Sequence, residues 1–428
     1  LLTRQAIKLI AGLETVLGKD SLLAYLVSMT QRIAEIYRAL KKTGSFYLHC
    51  DPSASHYLKL VLDSIFCTQG GIYQNEIVWC YGSGGASKSH FSKKHDVIFY
   101  YTKSKKYTFN VDEVREPYSS PEKVKTKTVN GKDYIRKHEL GRIPFDWWQI
   151  PILTNTAKER LGYPTQKPEK LLEKIIKVSS NEGDIVLDAY CGCGTTVAVA
   201  ERLGRGWIGI DITYQSISLI LKRLEDTFGG DLSKDLVNPD TKQIIRPARL
   251  ELLGVPQDFA SAVALANKQD DRVRKEFEKW FVLAYSNNRA IINDKKGGDG
   301  GIDGTAIMVD FDEKNKQIFK EIIFSVKSNK TLSPTVIRDL YGTVTREKAA
   351  IGYLLTLYPM PNLVKESSKY GIYKNRMFDE SYPCIQVVSV EELLSGKRLP
   401  NLRTIEVLRS AEKAKINDMQ TDVFADEE

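Results

Sequence analysis

Apolar and polar positions change period several times along the chain, and the changes mark out its elements. Leu9, Leu13 and Leu17 recur at every fourth position, which places them on one helical face. Polar-capped helical spacing follows from Ser53 to Leu62, where Asp51 is positioned to cap the helix, and His95 to Ser104 reads as an aromatic strand. The clearest unit runs from Ile185 to Asp211. Ile185, Val186 and Leu187 suit a buried parallel strand, and Thr195 to Leu203 has alanine-rich helical spacing. Trp207 to Ile210 resume a strand that ends on the acidic Asp211.

Further along, residues 275–285 read as an amphipathic helix and 318–329 as a strand. A helix is expected near Pro334 to Lys348, and the apolar run 351–357 reads as another strand. The polar, mixed stretch 231–273 reads as a linker, and 401–428 as a solvated tail low in apolar residues. The pattern shows no internal repeat.

The strand–turn–helix–strand unit has the form of a nucleoside-cofactor site. Gly192 and Gly194 stand where the backbone turns sharply and a ligand could approach closely. Asp211 lies 19 residues after Gly192, where a carboxylate can accept hydrogen bonds from both ribose hydroxyls. The position of the third glycine in a dinucleotide fingerprint is Val197, which disfavours NAD or FAD. The nearest imitation of a Walker loop, Gly82 to Ser89, has Ser87 where the glycine before the lysine should be. An ordinary buried turn without ligand is the rival reading.

Three segments together carry a family resemblance: DAYCGCGTT (Asp188 to Thr196), Thr165-Gln166-Lys167-Pro168, and GSFYLHCDPSASHYLKLVLD (Gly44 to Asp63). The combination resembles the amino-group DNA methyltransferases of the beta type, over roughly half the chain. In that family the target-base half precedes the S-adenosylmethionine half, and the order here is similar. The resemblance implies that Asp188, Ala189, Tyr190, Cys191, Gly192, Gly194, Thr195, Thr196 and Asp211 hold S-adenosylmethionine. It implies that Thr165, Gln166, Lys167 and Pro168 close over its methionine part. A plain helix start, with Thr165 as cap and Pro168 in the first turn, is the alternative for that tetrapeptide.

The family's D-P-P-[YF] or S-P-P-Y tetrapeptide is absent from the 428 residues. Asp51-Pro52-Ser53-Ala54 lacks both the second proline and the aromatic. Taken with the start at Leu1, this leads to the expectation of a fragment whose catalytic loop lies before residue 1. The expected reaction is methyl transfer to an exocyclic amine of DNA, adenine for preference, within a restriction-modification system.

Composition is compatible with that reading. Apolar residues make up 42% and charged residues 27%, as in a soluble globular protein, and 428 residues exceed one ordinary core. The net charge of +8 favours a polyanionic partner. Tyr81 to Lys137 carries thirteen Lys or Arg against six Asp or Glu. Residues 81–150 are therefore the candidate target-recognition region, with Lys88, Lys93 and Lys94 as phosphate contacts on double-stranded DNA. Of the six cysteines, only Cys191 and Cys193 are closely spaced, which is weak metal evidence. With no long apolar run and no signal peptide, a cytoplasmic protein without membrane contact is expected. The resemblance also implies restriction-modification partners, a second copy of the chain among them.

The second half, 274–400, has the order helix, strand, strand, helix, strand. Gly301-Ile302-Asp303-Gly304 resembles the turn of Mrr-like restriction nucleases of the PD-(D/E)xK fold, and Ser325-Val326-Lys327 falls at their E-x-K position. That resemblance implies Asp303 as a magnesium or manganese ligand and Lys327 as the phosphate-stabilising lysine. Ser325 is a poor ligand, for which the Val326 carbonyl and Glu276 or Glu278 could compensate. The expected fold is therefore α/β, with a Rossmann-like S-adenosylmethionine-dependent methyltransferase sheet over 1–230 and a smaller restriction-endonuclease-like α/β domain. The alternative function is a DNA-binding or metal-dependent endonuclease module whose methyltransferase half supplies site recognition.

Overall fold

The computed structural model describes residues 2–82, 87–118, 126–129, 132–135, 138–154, 156–163, 165–228, 236–237, 244–246, 250–293 and 301–400. The predicted tail 401–428, most of the stretch 229–249 and parts of 81–150 lie outside the described residues. The chain is α/β and forms two compact units. The first comprises Leu1–Ala157, Lys167–Asp188 and Thr195–Ile208; the second comprises Lys158–Gln166, Ala189–Gly194 and Gly209–Glu428.

In the first unit, α1 (Arg4–Leu17) and α2 (Ser21–Ala39) start on capping side chains. Thr3 accepts from the Ala6 N–H and Asp20 from the Leu23 N–H, each satisfying a donor the helix leaves over. The strands are β1 (Ser45–Cys50), β2 (Ile72–Cys80), β3 (His95–Thr102) and β6 (Trp147–Gln149), in the sheet order β1-β3-β2-β6. A separate hairpin joins β4 (Thr126–Val129) to β5 (Lys132–Ile135). The sheet is antiparallel except for the β2–β6 pair.

Alternation along β3 serves two cores. Val97, Phe99 and Tyr101 pack with α1, α2 and α3 (Ser55–Ile65), while Ile98 and Tyr100 pack on the other face with Trp79, Trp148 and Leu171 of α4 (Glu169–Ser179). That is why this strand is apolar almost throughout.

Three local expectations change. Helix α3 begins at Ser55, not Ser53, and Asp51 does not cap it. The Asp51 carboxylate accepts from the N–H and hydroxyl of Ser53, a tight local turn that delays the helix by two residues. Helix α4 has Pro168 as its cap residue, so Thr165 is not the cap and Pro168 is not in the first turn. The strand β7 (Ile185–Asp188), paired with β8 (Gly206–Gly209), is not buried on both faces. Val186 and Trp207 pack against α4 and α5 (Thr195–Arg202), but Ile185 remains 61% exposed and Ile208 50%.

In the second unit, α6 (Tyr214–Phe228) is followed by the pair β9 (Leu236–Val237) and β10 (Ile244–Arg246). Then come α7 (Phe259–Ala266) and α8 (Asp271–Ser286). A capping box of Asp258 and Ser261 starts α7, and its Ala262 and Ala266 enter the same core as α8, so part of the stretch read as linker is structured. The sheet runs β11 (Ile291–Ile292), β12 (Gly304–Phe311), β13 (Gln317–Lys327), β14 (Ile351–Thr356) and β17 (Ile385–Ser389) in that spatial order.

Strand β12 is antiparallel to β13, whereas β13, β14 and β17 are mutually parallel. Alternation along β13 again sorts the faces. Ile322, Phe324 and Val326 join α7 and α8, and Ile323 joins α9 (Thr335–Arg346) and α10 (Pro361–Ser367). The hairpin of β15 (Ile372–Asn375) and β16 (Glu380–Pro383) is pinned by Asp310. This buried carboxylate accepts from the Tyr373 hydroxyl and the Arg376 N–H. Helix α11 (Val390–Leu394) closes the unit on a second capping box. Among the described residues no helix is long and apolar enough to cross a membrane.

Candidate functional site

The glycine turn is built by positive backbone torsions and close packing. Gly192 has φ of +49°, and a Cβ there would lie 3.1 Å from the Tyr163 ring; Gly194 has φ of +72°, and a Cβ would lie 2.6 Å from Ile220. Any side chain at Gly194 meets both a disfavoured torsion and the flank of α6. Cys191 and Cys193 are buried small side chains, and the Cys191 N–H donates to the Ile210 carbonyl. Ala189 and the half-exposed Tyr190 complete the turn.

Asp211 holds this turn closed. Its Oδ2 accepts from the Gly192 N–H at 2.9 Å, and its Oδ1 accepts from the Thr213 N–H at 3.1 Å, with the Thr213 hydroxyl oxygen 3.3 Å away. The loop before α4 is fastened in a similar way. Gln166 accepts from the Leu161 N–H at 2.8 Å and donates to the Glu159 carbonyl at 2.6 Å, so both ends of its amide are used within its own loop. Thr165 adopts φ of +64°, which a β-branched residue rarely does. Tyr163, which sequence reasoning did not single out, covers Gly192 and reaches the Ser216 hydroxyl at 3.2 Å.

In the first unit, Thr196 at the start of α5 donates to Asp188 at 2.6 Å, tying the end of β7 to the helix. Thr195 opens that helix and is buried. Lys167 lies over the Trp79 ring at 5.9 Å. Near it is a cluster that sequence reasoning missed: His49 Nε2 is 2.8 Å from Asp96 Oδ2, and the Tyr81 hydroxyl donates to Asp96 Oδ1 at 3.1 Å. Burial, and then the Lys167 ammonium, hold the His49 imidazole below its ordinary range despite Asp96. The ring is therefore neutral at pH 7, with Nε2–H donating to the carboxylate. The sequence contained a signal, since His49 and Asp51 stand in GSFYLHCD, but strand periodicity gave no reason to pair His49 with Asp96.

Of the predicted phosphate contacts, Lys88 and Lys93 are exposed on the loop before β3, and Lys94 is half-buried at its root, where its carbonyl accepts from the Tyr81 N–H. The loop is braced by Ser92, whose hydroxyl accepts from the Ser87 N–H at 3.1 Å. Phe91 between the lysines is 99% exposed.

The second unit ties Asp303 to the strand end that carries Lys327. The Val326 N–H donates to Asp303 Oδ2 at 2.6 Å, and Lys327 Nζ reaches the Ser325 hydroxyl at 3.4 Å and the Val326 carbonyl at 3.2 Å. Burial pushes the Glu278 carboxyl up from its ordinary value, and the Asp303 charge pushes it further, against the pull of Lys275, Lys327 and Arg274. Glu276 is engaged elsewhere, accepting from the Tyr214 N–H at 2.8 Å and pairing with Lys279 at 3.2 Å. Of the two compensating glutamates, Glu278 is the one that feels the Asp303 charge. Among the described residues no group of three or more His, Cys, Asp or Glu is placed to hold a metal ion.

The DNA methylase family profile for N6 and N4 enzymes matches residues 13–222. Type II methyltransferase M1.MboII of Moraxella bovis is 35% identical over 207 residues, covering 45% of this chain and 78% of that protein. The chain belongs to the N6/N4 DNA methylase family. Type II methyltransferase M.HpaI of Haemophilus parainfluenzae is 36% identical over 208 residues, 48% of this chain and 61% of its own. DNA adenine methyltransferase YhdJ of Escherichia coli is 36% identical over 202 residues, 45% of this chain and 64% of its own. The chain thus spans about three fifths of the length of those two relatives. The DNA methylase match ends before the second unit's sheet, which begins at Ile291.

Proposed function

We propose that this chain binds S-adenosylmethionine through the glycine turn and takes part in methyl transfer to an exocyclic amine of DNA, adenine for preference, within a restriction-modification system. The observation that carries the reading is the turn Cys191–Gly194 closed by Asp211, on the segment matched by the DNA methylase family. Adenine is preferred because one of the relatives is a DNA adenine methyltransferase. Asp211 would accept the ribose hydroxyls. Asp188, Ala189, Tyr190, Cys191, Gly192, Gly194, Thr195 and Thr196 would line the cofactor, with Thr165, Gln166, Lys167 and Pro168 closing over it. In this reading the matched segment forms a methyltransferase domain ahead of a nuclease-like one.

Methyl transfer to such an amine needs an acceptor for the amino hydrogens, because the nitrogen lone pair is delocalised into the ring, and an aromatic to stack on the flipped base. The D-P-P-aromatic that supplies both in the family is not among the 428 residues. The part of the reaction assigned to these residues is therefore binding and orienting the cofactor and holding DNA. Calorimetric titration with S-adenosylmethionine tests it: saturable one-site binding, competed by S-adenosylhomocysteine, is expected. No binding heat from the folded chain would remove the reading.

The DNA arm is tested at the loop before β3. Lys93→Ala with Lys94→Ala is expected to weaken binding to all duplexes alike and to flatten its salt dependence by about 0.9 for each phosphate that is no longer neutralised. A salt slope equal to that of the parent would exclude this loop from the interface, and a change of preferred sequence would mean that it reads bases.

A second reading is favoured by one observation in the second unit: Asp303 is tied to the Val326 N–H, one residue before Lys327, and Glu278 feels the charge of both. Two carboxylates within range of each other's charge, with a lysine at the end of β13, suit a metal-dependent phosphodiesterase of the PD-(D/E)xK kind. Glu278 would stand in for the acidic residue that Ser325 replaces, with magnesium or manganese as the metal.

A further inference from the structure

A cavity of about 700 Å³ in the second unit opens one residue beyond Lys327. Three stretches form it: Asn267 to Gln269 just after α7, Arg274 on the first turn of α8, and Ser328 to Lys330 after β13. Tyr358, after β14, completes the wall, its ring edge-on to Phe259 at 5.8 Å. The charged side chains in the lining are Lys268, Arg274 and Lys330, all cations, and the remaining polar groups are amides and hydroxyls. A lining with three cations, several N–H and O–H donors and no carboxylate complements phosphate oxygens. Arg274 now rests on Asp271 at 2.7 Å, but both partners are largely exposed, and an ion pair of that kind is easily exchanged for a phosphate.

From this geometry we propose that the cavity binds consecutive phosphates of a DNA backbone. The volume exceeds what a single phosphate fills and suits a short stretch of strand. The three cations come from three separate stretches, which suits several phosphates of a polymer over a small anion. Ser328 of the lining follows Lys327 directly, so the cavity adjoins the end of β13 that carries Lys327. The proposal deepens the phosphodiesterase reading and rests on it for the choice of DNA, while the binding itself can be tested without cleavage.

The test uses the full chain, a labelled short duplex, and fluorescence anisotropy across a range of salt in the presence of a chelator. Lys268→Ala with Lys330→Ala should bind more weakly and make the logarithmic salt slope shallower by about 2, as expected when two phosphates are no longer neutralised. Lys268→Arg with Lys330→Arg should keep the parent slope. Thermal unfolding equal to the parent's certifies that both variants are folded. An unchanged slope in the alanine variant overturns the proposal, as does an arginine variant that loses as much as alanine. Competition by a mononucleotide as effective as competition by unlabelled duplex overturns it in favour of a small-anion site. The same proteins are assayed for plasmid nicking with manganese; absence of nicking throughout, with the slope changed, removes the cleavage reading and leaves the phosphate site standing.

Discussion

Asp211→Ala is expected to weaken S-adenosylmethionine binding by about 1.5–3 kcal/mol, roughly ten- to a hundred-fold, because a charge-assisted pair of hydrogen bonds to the ribose is removed. The structure adds a second consequence. Asp211 also accepts from the Gly192 and Thr213 N–H groups, so alanine leaves the glycine turn without its tie and should cost about 1 kcal/mol of stability as well. The single proton of the Thr213 hydroxyl goes to the nearer Ser216 hydroxyl at 2.8 Å, so the two backbone N–H groups leave two of about four acceptor positions of the carboxylate for the ribose. Asp211→Asn separates the two roles. Its amide oxygen can still accept from Gly192, so most of the stability should return, whereas the missing charge keeps cofactor affinity low. Calorimetric titration and thermal unfolding on the three proteins read these effects independently. Unchanged affinity in a folded Asp211→Ala protein would remove Asp211 from the cofactor site.

Element type was largely legible from periodicity. Strand β3 was expected over His95 to Ser104 and ends at Thr102; α9 was expected near Pro334 to Lys348 and spans Thr335–Arg346. Both are strongly patterned: β3 packs on both faces, and α9 presents Ile337, Leu340 and Val344 to one core. What failed was burial and local hydrogen bonding. The apolar run Ile185–Leu187 looked like a strand covered on both faces, yet its helices cover one face and leave Ile185 and Leu187 exposed on the other. Asp51 had the position of a cap, but the competing turn to Ser53 is closer to hand and takes its carboxylate.

The candidate site was legible where residues adjoin in sequence and hidden where they do not. The turn from Asp188 to Thr196 and its partner Asp211 follow from one strand–turn–helix–strand pattern. The His49–Asp96–Tyr81 cluster joins β1 and β3 to the end of β2, and no periodicity reveals their pairing register. Glu278 and Glu276 sit two positions apart on α8, and only the packing of that helix sends Glu276 to the Tyr214 N–H and leaves Glu278 buried within range of the Asp303 charge.

The other large effect is expected at that second cluster. Asp303→Ala should abolish metal-dependent nicking of plasmid DNA, since Asp303 is both the proposed ligand and the group held in place by the Val326 N–H. Glu278→Gln should reduce it strongly, because Ser325 leaves Glu278 as the second carboxylate. With few negative charges in the site, magnesium binding should be weak. Manganese, which binds such carboxylate, carbonyl and water sites more tightly, should support faster cleavage. The Glu278 carboxyl is pushed up by burial and by Asp303, so metal must compete with its proton, and cleavage should rise with pH as Glu278 deprotonates. Ser325→Glu would place a carboxylate on the side of β13 that Lys327 occupies, where Lys327 Nζ already lies 3.4 Å from the Ser325 hydroxyl, and should raise the rate by restoring a ligand. If neither Asp303→Ala nor Ser325→Glu changes nicking with manganese present, the second unit is not a nuclease, and its cations serve DNA binding alone.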